Sequence, residues 1–183
     1  MKMKLFHYIS TLLSGGMLLF SSFAISADTG GTEMDFSGSL VAQPCWMNPE
    51  FANRAVDMGE IPNADLYYNP HSRSFTFTII LSGCDFGEAG EGTVTTRFEG
   101  NESAELPGYL AMSTAGTGAA IRILTQQGAP LPLGQESAPV HVSNGGNVLN
   151  FNAYVQAEPT ALADRTVELG DFTATATFFL DYP

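Results

Sequence analysis

The chain has 183 residues, 44% of them hydrophobic, and 19 acidic residues against seven lysines and arginines give it a formal net charge of −12. Nucleic acid is excluded as a partner because its phosphates bind basic surfaces. The length fits one domain of ordinary size with a sizeable core, and the negative charge favours solubility.

The first 27 residues have the pattern of a secretory signal peptide. Two lysines precede an apolar run from Leu12 to Phe23, and small residues follow, ending at Ala27. This run is shorter than the roughly 20 apolar residues that a membrane-spanning helix requires, and no later stretch approaches that length. We therefore predict cleavage after Ala27, export of residues 28–183, and no insertion of the mature chain into a membrane.

Residues 28–43 form a candidate arm in which side chains alternate in character. The positions on one face are Thr32, Met34, Phe36, Gly38 and Leu40. Those between them are acidic or serine, so the segment has the period of two that a strand with one buried face requires. Fully extended at roughly 3.3 Å per residue, the arm would reach about 50 Å. We predict that its first part leaves its own domain and enters another.

The only two cysteines, Cys45 and Cys84, lie in a chain that is sent to an oxidising compartment. Their even number there predicts a disulfide, and the close C-x-x-C spacing of metal or redox pairs is absent. Closing this loop should stabilise the fold by about 3–4 kcal/mol on the chain-entropy model. Trp46 follows the first cysteine, and we expect it to pack beside the bridge.

The rest of the chain alternates in short runs rich in Thr, Val and Phe, separated by Gly, Pro and Asn clusters, and this pattern predicts an all-β fold. The predicted strands are 35–42, 54–58, 73–82, 93–99, 119–124, 139–142, 148–156 and 171–182. Residues 144–147 predict a hairpin turn, and residues 160–163 a short helical turn. Seven or eight short strands with a bridging disulfide indicate an immunoglobulin-like sandwich.

The last strand has the most regular pattern in the chain. Its even-numbered positions are all apolar or glycine: Gly170, Phe172, Ala174, Ala176, Phe178, Leu180 and Tyr182. The odd positions are polar, with Phe179 the single exception, so one face is suited to burial. Because the run stops at Pro183, we expect it to lie beside an unfilled place in the sheet; a normal last strand paired on both sides is the alternative. A detachable strand and a vacancy in one chain indicate a head-to-tail polymer.

These residues resemble the subunits of chaperone-usher pili along the whole mature chain. The run Phe36 to Val41 before Pro44 and Cys45 is similar to the family's hydrophobic and glycine pattern ahead of its first cysteine, and Phe75–Cys84 is similar to the strand that carries the second. The most specific features are a glycine fourteenth from the end, Gly170, and a penultimate tyrosine, Tyr182.

The resemblance implies an incomplete immunoglobulin-like sandwich that lacks its last strand, with residues 44–183 as the pilin domain and a hydrophobic groove beside the strand ending at Tyr182. A donor strand from a chaperone or a neighbouring subunit would complete it by β-strand addition. The implied partners are a periplasmic chaperone that also holds the carboxylate of Pro183, an outer-membrane usher, adjacent pilus subunits and a tip adhesin. The implied route runs through the periplasm to a cell-surface fimbrium that supports adhesion.

The type of subunit is predicted from the arm. Its short part before Phe36, together with the sequence up to Cys45, resembles tip or adaptor subunits more than the shaft pilin. There is no room for a two-domain adhesin. We predict a minor pilin or tip adaptor, with a base terminator or a major shaft pilin as alternatives. Thr32 departs from the larger aliphatic residue that is frequent in the family at that position.

An enzyme is the main alternative class, and no residue pattern favours it. His71 and His141 are isolated, and no nucleophile elbow, phosphate loop or metal-binding motif occurs. We therefore predict no catalytic residue, no metal and no cofactor.

A secreted sugar-binding β-sandwich is a third class. Its candidate aromatic faces are Trp46, Tyr67, Tyr68 and Tyr109. Glycan binding by the isolated subunit would favour this class over a fibre subunit.

Overall fold

The computed structural model describes residue 37 and residues 43–47, 55–112 and 118–183. The signal peptide and all five predicted arm positions lie outside these residues. The chain divides into two compact units, Met1–Leu40 and Val41–Pro183, and every element named below belongs to the second.

Short antiparallel strands dominate the described part of the chain. The strands are β1 Phe75–Cys84, β2 Glu91–Gly100, β3 Leu110–Ala111, β4 Ala119–Thr125, β5 Val140–Ser143, β6 Gly145–Ala157 and β7 Ala176–Asp181. Two six-residue α-helices, α1 Asn63–Tyr68 and α2 Pro159–Asp164, and a 3-10 turn at Gly87–Ala89 complete the set. The predicted all-β class is confirmed, and so is the helical turn near residue 160. No helix of the described residues is both long enough and apolar enough to cross a bilayer.

The strands form two sheets, one in the order β1-β6-β4-β3 and the other in the order β5-β2-β7. Strand β6 is central to the first sheet, with Phe151 opposite Phe77 of β1 and Ala153 opposite Ile123 of β4. Its odd-numbered residues from Leu149 are buried while the even-numbered ones are partly exposed. This alternation places one face of the sheet against the core.

Four phenylalanines from the two sheets contact one another in the core. Phe98 of β2 meets Phe151 of β6 edge to face, with ring centroids 5.1 Å apart, and Phe77 stacks on Phe151 at 5.6 Å. Phe178 of β7 approaches Phe98 at 6.3 Å. The contact between Phe98 and Phe151 joins the two sheets, as expected for a sandwich whose inner faces interdigitate.

The predicted disulfide between Cys45 and Cys84 is present. It ties the segment 43–47 to the end of β1, where Trp46 and Ser82 exchange both backbone hydrogen bonds, at 3.0 and 2.8 Å. The indole of Trp46 lies over Gly83, where a Cβ atom would overlap it. Trp46 is therefore beside the bridge as expected, yet its side chain is 57% exposed.

The predicted hairpin at residues 144–147 is wrong. Strand β5 pairs with β2 and strand β6 pairs with β1, so this turn carries the chain from one sheet to the other. The side chain of Asn147 closes it, because its oxygen accepts from the Ser143 N–H at 3.0 Å and its amide donates to the Ser143 carbonyl at 2.7 Å. A side chain thus replaces the ladder bonds that a hairpin would make.

Two predicted strands also need correction. The described residues 55–58 of the predicted strand 54–58 have no regular structure. The predicted strand 171–182 is hydrogen-bonded as a strand only over Ala176–Asp181, because its partner β2 ends at Gly100, which pairs with Ala176. Helix α1 and the two-residue strand β3 were not predicted.

Candidate strand-binding groove

Two strand edges remain unpaired where the sheets approach each other. Within the described residues, β1 pairs along its length only with β6, apart from the bridge between Trp46 and Ser82, and β7 pairs only with β2. Unpaired edges present rows of backbone N–H and C=O groups that can accept another strand. Both edges border the same cleft.

This cleft, hereafter the groove, has a volume of about 1210 Å³ and reaches into the core between the sheets. Its apolar lining from the strands is Phe77, Ile79, Phe98, Leu110, Ile121, Ile123, Ala153, Val155, Ala176 and Phe178. Phe172 and Ala174, which precede β7, continue the same wall. An opening of this size into a hydrophobic core is unusual, because protein interiors are packed nearly as densely as crystals of organic molecules.

The wall formed by residues 171–183 alternates without exception. Every even-numbered side chain is half-buried and every odd-numbered one is exposed, including Phe179. The predicted groove residues Phe172, Ala174, Ala176 and Phe178 line the groove, whereas Leu180 and Tyr182 pack against the core beyond it. The inward-facing residues of β7 are therefore only partly covered.

The two ends of the groove differ. One end, which we call the open end, is formed by α1 and residues 167–170, where the hydroxyl of Tyr67 accepts from the Val167 N–H at 3.2 Å. Gly170 lies here with a φ of +140° and free space around it. Its backbone conformation, and not a lack of space for a side chain, therefore favours glycine at this position.

The opposite end, which we call the closed end, is occupied by the segment 43–47 of the same chain. This segment takes the last part of the β1 edge at Ser82, and Met47 packs against the same core cluster as Tyr182. Burial raises the pKa of the Tyr182 hydroxyl, and the neighbouring Gln43 side chain partly opposes this rise. The closed end is thus apolar and held in place by the disulfide.

The aromatic residues considered for sugar binding have different neighbours. The guanidinium of Arg122 lies 4.6 Å from the ring of Tyr109, whose hydroxyl donates to Gln156 at 3.0 Å. Tyr67 contacts Val167 at the open end, Trp46 lies over Gly83 at the closed end, and Tyr68 is exposed. The structure therefore divides these residues between the two ends and the outer face of the larger sheet.

The two histidines are exposed, and one of them belongs to an aromatic stack. His71 stacks on Tyr154 with ring centroids 4.1 Å apart, and His141 lies on β5. Burial raises the pKa of Tyr154 to about 12, helped by a hydrogen bond with Tyr109. Among the described residues, no three His, Cys, Asp or Glu side chains are grouped so that they would hold a metal ion.

Sequence reasoning missed one wall of the groove. Residues 55–61 and helix α1 line it, with Val56 exposed and Met58 buried. Pro62 directly before Asn63 is a helix-start signal, although a helix this short has almost no hydrophobic periodicity to detect.

The sequence pattern of the fimbrial protein family matches residues 34–183. The chain belongs to this family. As a fimbrial protein it is a structural subunit of cell-surface fimbriae, and its resemblance to chaperone-usher pilus subunits is confirmed. Fimbria A protein of Serratia marcescens is 38% identical over 95% of both chains. The fimbrial adapter PapK of Escherichia coli is 33% identical over 92% of this chain and 97% of its own.

Solved structures agree with this fold. The P pilus rod subunit PapA matches with a TM-score of 0.66 and 27% identity, over 77% of this chain and all of its own. The fimbrial protein described here is therefore an incomplete immunoglobulin-like sandwich that lacks a strand, as predicted. Relatives of both kinds, adapter and rod, are similar to it over nearly their whole length.

Proposed function

We propose that this fimbrial subunit polymerises by accepting the arm of a neighbouring subunit, residues 28–43, into its groove. The observation that carries the proposal is an apolar cleft between two unpaired strand edges, with a half-buried alternating strand as one wall. Strand addition supplies backbone hydrogen bonds along the edge of β7 and covers its inward side chains. Burying four or five apolar side chains at about 1.5–3 kcal/mol each gives the gross gain, which strand ordering partly offsets.

The two ends of the groove determine the direction of the inserted arm. At the closed end, segment 43–47 blocks a chain that would continue past Ser82, whereas Tyr68 and Leu169 in the segments of the open end are exposed. After signal cleavage the arm has a free amino terminus, while its carboxyl end continues into a folded domain. The amino terminus therefore lies toward the closed end and Leu40 toward Gly170, so that the arm runs antiparallel to β7.

Side-chain sizes then select one register. Residues directly opposite each other on paired strands share a face and pack together. One antiparallel alignment places a large residue opposite a small one at nearly every position. Its pairs are Leu40–Gly170, Gly38–Phe172, Phe36–Ala174, Met34–Ala176 and Thr32–Phe178. A shift by two residues in one direction brings Leu40 against Phe172, and in the other direction Phe36 against Phe172, so both shifted registers are crowded.

A peptide experiment tests this register. The mature subunit carrying Phe36→Glu should not donate its own arm, and a synthetic peptide of residues 28–43 should bind it and raise its unfolding free energy, by about 2.7 kcal/mol at one hundred times Kd. The peptide with Gly38→Leu should bind about ten-fold or more weaker, because overpacking against Phe172 costs roughly 1–3 kcal/mol.

Ser39→Leu in the peptide is the matched control. It also replaces a small residue by leucine, but at the next position, which lies on the face of the arm that points away from the groove in the proposed register. It should bind like the wild-type peptide. Equal weakening by both changes would exclude the register, and no binding by any peptide would exclude the groove as the acceptor.

Before assembly, we infer that a periplasmic chaperone occupies the groove and holds the carboxylate of Pro183, and that an outer-membrane usher exchanges its strand for the arm. The large apolar opening supports this, because such a surface in an unassembled subunit favours aggregation. Co-expression of a chaperone from the same gene cluster should raise the yield of soluble subunit. Equal yields of soluble subunit with and without the chaperone would contradict this inference.

For position in the fibre we propose a minor or tip-adaptor role, supported by the short arm and by the likeness to the adapter PapK. The likeness to the rod subunit PapA favours the shaft as a second candidate. Immunogold labelling of fibres separates them. Label confined to the tips supports the adaptor, and label along the whole length supports the shaft.

A further inference from the structure

The most exposed large hydrophobic side chains lie at opposite ends of the groove. Leu169 is 79% and Tyr68 78% exposed, and both belong to segments that form the open end. Trp46, at the closed end, is 57% exposed. The core does not cover these side chains, and only Leu169 lines the groove, so an inserted arm would not cover Tyr68 or Trp46.

Insertion of an arm brings these two ends together. In the antiparallel orientation the donor's Leu40 reaches the acceptor's open end, and only five residues separate Leu40 from Trp46. At roughly 3.3 Å per residue this connection spans at most about 20 Å, and Cys45 is fixed by its disulfide. The closed end of each donor must therefore lie next to the open end of its acceptor.

We propose that Tyr68 and Leu169 form a second contact between successive fibre subunits, and that the neighbouring subunit's surface around Trp46 is what covers them. Aromatic residues are enriched at the centres of protein interfaces, and exposed apolar side chains at such a place mark contacts. This contact rests on the proposed strand donation. It fixes the angle between adjacent domains, which the arm alone leaves free.

Trp46 is the single tryptophan of the chain, so its fluorescence reports this contact directly. Acrylamide quenching of Trp46 should be about two-fold or more weaker in fibres assembled in vitro from the purified subunit alone than in the Phe36→Glu subunit bound to the 28–43 peptide, because covering a half-exposed indole removes most collisions. The peptide fills the groove without bringing a neighbouring domain, so it separates groove filling from the end-to-end contact.

Fibres of the Tyr68→Ser, Leu169→Ser double variant should regain strong quenching of Trp46. Val148→Ser is the matched control, since Val148 is similarly exposed but lies on β6, and its fibres should keep the protection. Tyr68→Ser alone, in the Phe36→Glu background, should bind the arm peptide with unchanged Kd, because Tyr68 does not line the groove whereas Leu169 does. The double variant should still assemble into fibres, which shows that it is folded.

Two results would overturn the contact while leaving strand donation intact. One is equal quenching in wild-type fibres and in the peptide-bound subunit. The other is protection of Trp46 that persists in the double variant, which would mean that another surface covers it. Failure of the wild-type peptide to bind would instead exclude strand donation itself.

Discussion

Strands β6 and β7 carry the same alternating pattern but lie in different environments. Strand β6 is paired on both sides, and its inward residues Leu149, Phe151 and Val155 are buried. Strand β7 is paired on one side, and its inward residues Ala176 and Phe178 remain half-buried. The difference shows that burial of a strand depends on its neighbours as much as on its own sequence, and that β7 lacks one neighbour among the described strands.

Substitutions of one inward-facing phenylalanine in each strand, Phe151 in β6 and Phe178 in β7, should separate the two strands by the largest difference in unfolding free energy. Phe151→Ala should lower the unfolding free energy by about 3–5 kcal/mol with or without the arm peptide, since the site is fully buried. Phe178→Ala should cost only about 1–2 kcal/mol in the empty Phe36→Glu subunit, because part of its surface is already in water. With the peptide bound, the cost should approach about 3 kcal/mol.

Urea denaturation of both variants, with and without peptide, measures this difference. The comparison between the strands fails if the two substitutions cost the same in the empty subunit.

The disulfide comes next in size. Replacing Cys45 and Cys84 by alanine should lower the unfolding free energy by about 3–4 kcal/mol on the chain-entropy model. It should also release segment 43–47 from β1, so that the closed end no longer limits the arm. Denaturation of the variant beside the reduced wild-type protein checks this, and the two should agree. A loss below about 1 kcal/mol would mean that the backbone pairing at Ser82 holds the segment alone.

Substitution of Gly170 should have a smaller effect, and it should change both the stability of the subunit and its affinity for the arm peptide. Gly170→Ala strains the backbone at a φ of +140° and should cost about 1–2 kcal/mol. It should also weaken binding of the arm peptide, because Leu40 packs there in the proposed register. Gly128→Ala is the control, since Gly128 also has a positive φ of +82° and open surroundings but lies away from the groove. It should lower stability without changing the Kd of the peptide, and parallel changes in both variants would argue against the register.

The smallest effect concerns alkaline pH. The pKa of Tyr154 is raised to about 12 by burial and by the hydrogen bond with Tyr109, so the folded state resists its deprotonation. Its contribution to stability is complete below the unfolded value near 10 and is lost as the pH rises toward 12. The unfolding free energy should therefore fall less steeply above pH 10 in Tyr154→Phe than in the wild type. Identical slopes would show that this hydroxyl is not coupled to folding.

Features that depend only on the periodicity or the number of residues of one type could be predicted from the sequence. The alternation of residues 171–182 and the pairing of Cys45 with Cys84 needed no tertiary information, and both agree with the structure. The turn at residues 144–147 did need it, because the same glycines and asparagines suit a hairpin or a crossing between sheets. Helix α1 and strand β3 are too short for their periodicity to be recognised, and their placement depends on packing beside β6 and β4.

The sequence predicts only one wall of the groove, the one formed by the last strand. The run after Gly170 indicates an uncovered face, whereas in the opposite wall, residues 55–61, the sequence predicts only the strand 54–58, which does not form. These residues lack pairing partners among the described strands, so no local pattern determines their conformation. Their role becomes visible only when the cleft between the sheets is known.

Hydrogen exchange of the backbone amides of β7 reports whether the place beside this strand is vacant. In the Phe36→Glu subunit, alternate amides of Ala176–Asp181 should be protected by β2 while those between them, which point into the groove, exchange quickly. Adding the 28–43 peptide should protect the second set. Protection of every β7 amide before any peptide is added would contradict the account, because the place beside β7 would then already be filled.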